Sequence, residues 1–175
     1  MLDVNLAVNL LSTARRMIRS KSSQAELRRS VSTSYYAVFH ALAKIAADSL
    51  VGSKKSLRSN KAWVEVYRGL SHGPCKASCK DAHKIAFPST IHDFAENFVQ
   101  LQEARHRADY DPTFSVNQSE ALFYYSLADY SIKALKTSSN KDLIAFSAWV
   151  LITSRGAQEA RKQARSSGNN ATQTS

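Results

Sequence analysis

The sequence predicts an all-α protein, and three observations support that reading. Glycine (5) and proline (3) are scarce among 175 residues, too few turn formers for a fold of many short strands. Apolar residues recur at spacings of three and four, which is the helical period. Polar stretches such as "SKSS" (20–23) and "TSSN" (137–140) separate the periodic segments, where helix caps belong. The length suits one domain with a core of its own and is too short for two comfortable ones.

Taken in order, Leu2, Leu6, Val8, Leu10, Leu11 and Ile18 predict a first helix ending near Arg19. "SKSSQ" (20–24) supplies caps for a second, running over 24–50, in which Leu27, Val31, Val38, Leu42 and Ile45 form a stripe. Tyr36, Ala43 and Ala47 lie opposite that stripe, so the middle, "YYAVFHALAKIAA" (35–47), is apolar nearly all round. Such a helix needs burial on two sides and is either the centre of a bundle or part of a dimer interface. A basic loop (51–61) leads to a short helix over 62–70, which "HGP" (72–74) breaks. Pro74 suits the first position of a short helical segment reaching about Ile85. Ser89 or Thr90 is the expected cap of a helix running to about Arg107. After the connection 109–117, Asn117 and Glu120 form a capping-box pattern opening a helix to about Lys136. A last helix is expected from Lys141 to about Gln163, followed by the low-complexity end "SSGNNATQTS" (166–175), which reads as disordered. The domain division is 1–136 for the bundle, 137–163 for an additional C-terminal helix and 164–175 for a disordered polar tail.

The formal net charge of +10, from 24 Lys and Arg against 14 Asp and Glu, favours nucleic acid, anionic lipid or an acidic protein as partner. Two cysteines make no disulfide framework, and the N-terminus lacks the apolar core of a secretory signal. The longest apolar run, "IAFSAWVLI" (144–152), falls short of the roughly 20 residues of a membrane span. The expectation is therefore a soluble cytoplasmic protein without a membrane span.

His72, Cys75, Cys79 and His83 first suggest zinc. If Cys75 to His83 is helical, however, its ends lie roughly 12 Å apart along the axis, too far for one ion with ligands at about 2.0–2.3 Å. The reading is a thiol pair on a partly buried helix, with no metal and no cofactor. "EARHRADYDP" (103–112) is more informative. Ile91, Phe94, Phe98 and Leu101 mark the inward stripe of their helix, and Arg105 falls in the middle of it. Asp109 falls at its edge, while Arg107 points the other way. A guanidinium in that position needs a partner, since burying it alone costs several kcal/mol. Two readings stay open: an Arg105–Asp109 bridge fixing the helix end, or an inward arginine whose planar fork is held for a phosphate.

Two stretches carry a family resemblance. "LRRSVSTSYYAVFHALAKIA" (27–46) resembles the signature helix of the HEPN superfamily, and "LQEARHRADYDP" (101–112) is similar to the Arg-x-x-Ala-Asp-Tyr segment of one branch of it. "AWVEVYRGLSHG" (62–73) reads like the intervening segment, so the likeness spans roughly residues 5–136. It implies an antiparallel up-and-down bundle of four to five helices, usually dimeric. Many members are metal-independent ribonucleases, often toxins encoded beside a nucleotidyltransferase antitoxin. Their motif is an Arg, a polar residue, and a His four to six intervening residues after the Arg. Two such motifs meet across a dimer cleft, where His moves protons and Arg stabilises the phosphorane. Here Arg105 is followed by His106, but Tyr110 stands where the His belongs, and no Arg of the chain has a His at that spacing. Tyrosine, titrating near pH 10, is a poor proton shuttle at neutral pH.

The residues expected at such a site are Arg105, His106, Asp109, Tyr110 and His40. His40 is either a buried, hydrogen-bonded histidine or one reaching Arg105 and Asp109 from the neighbouring helix in place of the missing His, with Tyr36 joining it. Arg107, Lys54, Lys55 and Arg58 are the expected RNA contacts, the last three in a basic loop that otherwise reads as solvated. The basic extension of the last helix ("SRGAQEARKQAR", 154–165) suits RNA, a protein partner or an anionic membrane surface. The expectation is an RNA-binding homodimer, as a ribonuclease of toxin type with a degenerate motif. The alternative is a non-catalytic module that docks a protein such as a nucleotidyltransferase.

Overall fold

The computed structural model describes residues 5–152, and these are all-helical. They form α1 (Leu6–Arg16), α2 (Gln24–Val51), α3 (Asn60–Gly69), α4 (His72–Asp81), a 3-10 turn (Ala82–Lys84), α5 (Ser89–Tyr110), α6 (Gln118–Thr137) and α7 (Asn140–Ile152). The expected continuation of the last helix to residue 163, its basic extension and the polar tail lie outside the described residues. No described helix is long and apolar enough to cross a membrane.

α2 is the central helix. A full capping box starts it: the Ser23 N–H donates to Glu26 and the Ser23 hydroxyl accepts from the Glu26 N–H. It ends at Gly52, whose φ of +117° is open to glycine and strained for other residues. Of its 28 residues 15 are buried, and many of these are Ala or Ser. Small side chains on every side let α1, α3, α5, α6 and α7 all pack against it. α5 runs antiparallel to α2, since Arg28 meets Ala108 while Tyr35 meets Phe98. α6 runs parallel to α2: the Gln24 side-chain amide clasps both backbone groups of Val116, and Ile45 lies across a groove from Ile132. α1 returns antiparallel, with Ser30 donating to the Ala14 carbonyl.

α7 belongs to the main core. Phe146 is buried edge-on against Phe87 and Phe94, Val150 is buried beside them, and the Trp149 indole donates to the Ser78 carbonyl at 2.9 Å.

Helix ends differ from the sequence reading where side-chain chemistry decides them. The first helix stops at Arg16 because the Ser22 hydroxyl takes the Met17 carbonyl (2.6 Å) and accepts from the Arg19 N–H. The third starts at Asn60, capped by Ser59. Pro74 is third in α4, behind His72 and Gly73. α5 is not capped by Ser89 or Thr90: Pro88 takes the cap position, its carbonyl accepting from Ile91 and His92, while the Thr90 hydroxyl pairs with Ser138. α5 also runs on to Tyr110. There Arg28 donates to the carbonyls of Ala108 (2.9 Å), Asp111 (2.8 Å) and Phe114 (3.2 Å), closing helix and following turn together. The Asn117–Glu120 box forms as expected at the start of α6.

Candidate phosphate-binding site

α5 turns Arg105 inward onto the middle of α2. Its side chain is 16% exposed, Nη2 donates to the Tyr36 hydroxyl at 2.6 Å, and Nε lies 2.8 Å from Asp109 Oδ2. That Nε–H is buried yet unsatisfied, being aimed off the line to the carboxylate, so the pair is an ion pair rather than a directed hydrogen bond. The guanidinium also lies 5.3 Å from the Tyr36 ring and 5.4 Å from the Tyr110 ring. Burial works against its charge, but the Tyr36 hydrogen bond and the Asp109 carboxylate outweigh burial and hold it protonated. Nη1 has no partner among the described residues.

Of the other expected residues, Asp109 and Tyr110 join Arg105. His106 is exposed, and its ring lies 5.1 Å from that of Tyr110. Arg107 is exposed and lies over Phe114. His40 does not reach Arg105: its Nδ1 pairs with the Tyr67 hydroxyl of α3 at 2.8 Å, and Tyr36 makes the contact with Arg105 instead. Burial lowers the His40 pKa. Lys54 and Lys55 are exposed. Arg58, 10% exposed, is occupied in holding the fold. It donates to Asp48 and to the carbonyls of Gly52 and Ser53, and it lies 4.3 Å from the Trp63 ring.

One side chain that the sequence reading left out of the site belongs to it. His72, the first residue of α4, lies tilted 4.0 Å from Phe39, stands edge-on to Tyr36 at 5.8 Å, and places Nδ1 2.6 Å from the Tyr35 hydroxyl. Burial lowers its pKa, and the charge of Arg105 and then His40 lowers it further, so the ring is neutral near pH 7. The tautomer follows from Tyr35. That phenol is fully buried, burial pushes its pKa up, and His72 is its partner. If Nδ1 carried the proton, the phenol O–H would be a buried donor with no acceptor, at a cost of about 1–3 kcal/mol. The phenol therefore donates to Nδ1, and the proton of the neutral ring sits on Nε2. Nε2 has no partner among the described residues. Gln102 holds His72 from behind, its amide donating to the His72 carbonyl at 3.0 Å.

The remaining metal-type side chains are dispersed. Cys75 and Cys79 are buried free thiols on α4, the Cys79 pKa raised by its hydrogen bond with Cys75 and by burial, and His83 turns to the Lys80 carbonyl. Among the described residues no three His, Cys, Asp or Glu side chains gather around a common point. The arrangement is thus a cation, a neutral imidazole and a phenol delivered by three helices, suited to holding an oxyanion. Compared with known proteins, the chain matches no family model, no curated protein and no solved structure.

Proposed function

We propose that this is a HEPN-like RNA-binding protein that holds the RNA backbone at Arg105. The observation that supports this is the state of that arginine. It occupies the inward phase of an apolar stripe, is fixed by Tyr36 and Asp109, and keeps Nη1 without a partner among the described residues. The net charge of +10 adds long-range attraction for a polyanion. The likeness of residues 27–46 and 101–112 to the HEPN helices supplies RNA as the polyanion. It also supplies a homodimer in which two copies of Arg105 share one cleft. Tyr110, in the position of the family's histidine, favours binding over cleavage, because phenols as a class move protons poorly at neutral pH.

The test is binding of a short single-stranded RNA to the full chain at several salt concentrations. Affinity should fall steeply with salt, as displaced counterions require. Arg105→Lys keeps the charge but loses the fork, and should weaken binding about tenfold, or about 1.4 kcal/mol, with little change in Tm. Asp109→Asn releases the arginine from its competitor and should tighten binding. No binding at low salt would end the nucleic-acid reading. A large loss of Tm in Arg105→Lys with RNA binding unchanged would leave the Arg105–Asp109 bridge as a purely structural element, as in a non-catalytic module that docks a protein.

A further inference from the structure

We propose that His72 Nε2, Tyr36 Oη and Arg105 Nη1 together form one three-donor site for a phosphoryl oxyanion, with Tyr35 as its positioning residue. Each donor is identified by what its neighbours have already taken. Nη2 of Arg105 is spent on Tyr36 and Nε faces Asp109, which leaves Nη1. The Tyr36 oxygen accepts that Nη2–H, so its own proton is free to donate. The Nδ1 of His72 accepts from Tyr35, so the ring donates from Nε2. The three come from the middle of α2, the start of α4 and the penultimate turn of α5, so packing rather than a loop sets their spacing. Tyr36 joins them: its ring centroid is 5.8 Å from that of the imidazole and 5.3 Å from the guanidinium carbon.

Two buried polar atoms without hydrogen-bond partners among the described residues flank the same seam. Gln102 Oε1 is one turn before Arg105 on α5, and Ser32 Oγ is one turn before Tyr36 on α2. A tetrahedral group with several oxygens can accept from donors carried by three separate helices. Asp109 offsets part of the arginine's charge, which suits a ligand of one negative charge, such as a phosphodiester, at least as well as a dianion. The proposal rests on the RNA reading for where the phosphoryl group comes from, while the donor set itself does not depend on that reading.

His72 is the reporter. The titratable and charged groups facing it are Tyr35, Tyr36 and His40 from α2 and Arg105 from α5, with Cys75 on its own helix. An anion seated between Arg105 and the imidazole would offset the cation's effect, so His72 should titrate at higher pH when the site is filled.

The experiment uses the full chain with 15N-labelled histidine, read by two-bond proton–nitrogen spectra. The free protein should show His72 as the neutral Nε2–H form. Inorganic phosphate, a nucleoside 5′-monophosphate and a dinucleoside phosphate are then added in separate titrations. Any of them shifting the His72 Nε2–H and raising its titration midpoint supports the site, and the tightest identifies the source of the phosphoryl group. His72→Gln, which keeps an N–H donor, should bind within about threefold of wild type, while His72→Phe should lose at least about tenfold. A neutral Nδ1–H form, or a His72 resonance unmoved by all three ligands at concentrations that saturate RNA binding, would overturn the proposal. So would equal losses in the Gln and Phe variants. RNA binding with a silent His72 removes this site and leaves the RNA reading standing. A His72 response to phosphate without RNA binding does the reverse.

Discussion

At the scale of single residues, the histidines govern how the fold answers to pH. His40 and His72 are each held neutral first by burial, and His72 also by Arg105 and His40. In the unfolded chain both titrate near pH 6.5. Their folded pKa values lie lower, so as pH falls the unfolded state takes up protons first. Stability should be complete above about pH 6.5 and decline as pH drops through that value toward the folded pKa values. Both rings are partly exposed, so the slope should stay well under about 1.4 kcal/mol per pH unit for each. Urea melts at pH 7.5 and 5.5 check this: wild type should lose stability at the lower pH, and His40→Phe should lose less. At this scale the sequence was legible where the relation was local. Arg105, Asp109 and Arg107 separate by helical phase alone, and the structure puts the first two together and the third outside. His72 was not legible, because its partners Tyr35 and Phe39 are more than thirty residues away. Nothing about "SHGP" announces such a contact.

At the scale of elements, the same contrast separates local caps from distant ones. The Asn117–Glu120 box closes within four residues, so sequence spacing reveals it. The end of α5 is set by Arg28, eighty residues earlier, which donates to three carbonyls of the helix end and turn. Its reach is what carries α5 past Arg107 and brings Asp109 and Tyr110 into helical register with Arg105. Arg28→Ala should therefore cost about 2–3 kcal/mol and speed amide hydrogen exchange in 108–114 before the rest of α5. Exchange left uniform along α5 would show that the turn holds itself. α2 was legible as a helix apolar on all sides, and it is the central one. Which neighbours cover it depends on packing of Ala and Ser faces that look alike in sequence.

For the whole molecule, the question is whether the last described helix is an accessory or a member of the fold. The sequence set it apart from the bundle. In the structure, Phe146 fills the space between Phe87 and Phe94, and Leu151 meets Gly69 at the end of α3. The apolar run "IAFSAWVLI" was visible, but its destination was not. Phe146→Ala should destabilise the protein by about 3–5 kcal/mol, seen as a single unfolding transition shifted to lower denaturant.

The chain's two tryptophans make this division of labour visible to light. Trp63 is buried under Arg58 and Tyr67, with its indole N–H on the Asp48 carboxylate, whereas Trp149 rides on α7. Each ring therefore carries its own fluorescence record, one of the clasp between α2 and α3, the other of the seating of α7 against α4. Single-tryptophan variants made by Trp63→Phe and Trp149→Phe would let the two records be taken separately. Traces with a common midpoint would mean that the protein unfolds as one cooperative unit, whereas an earlier Trp149 midpoint would mean that α7 leaves first.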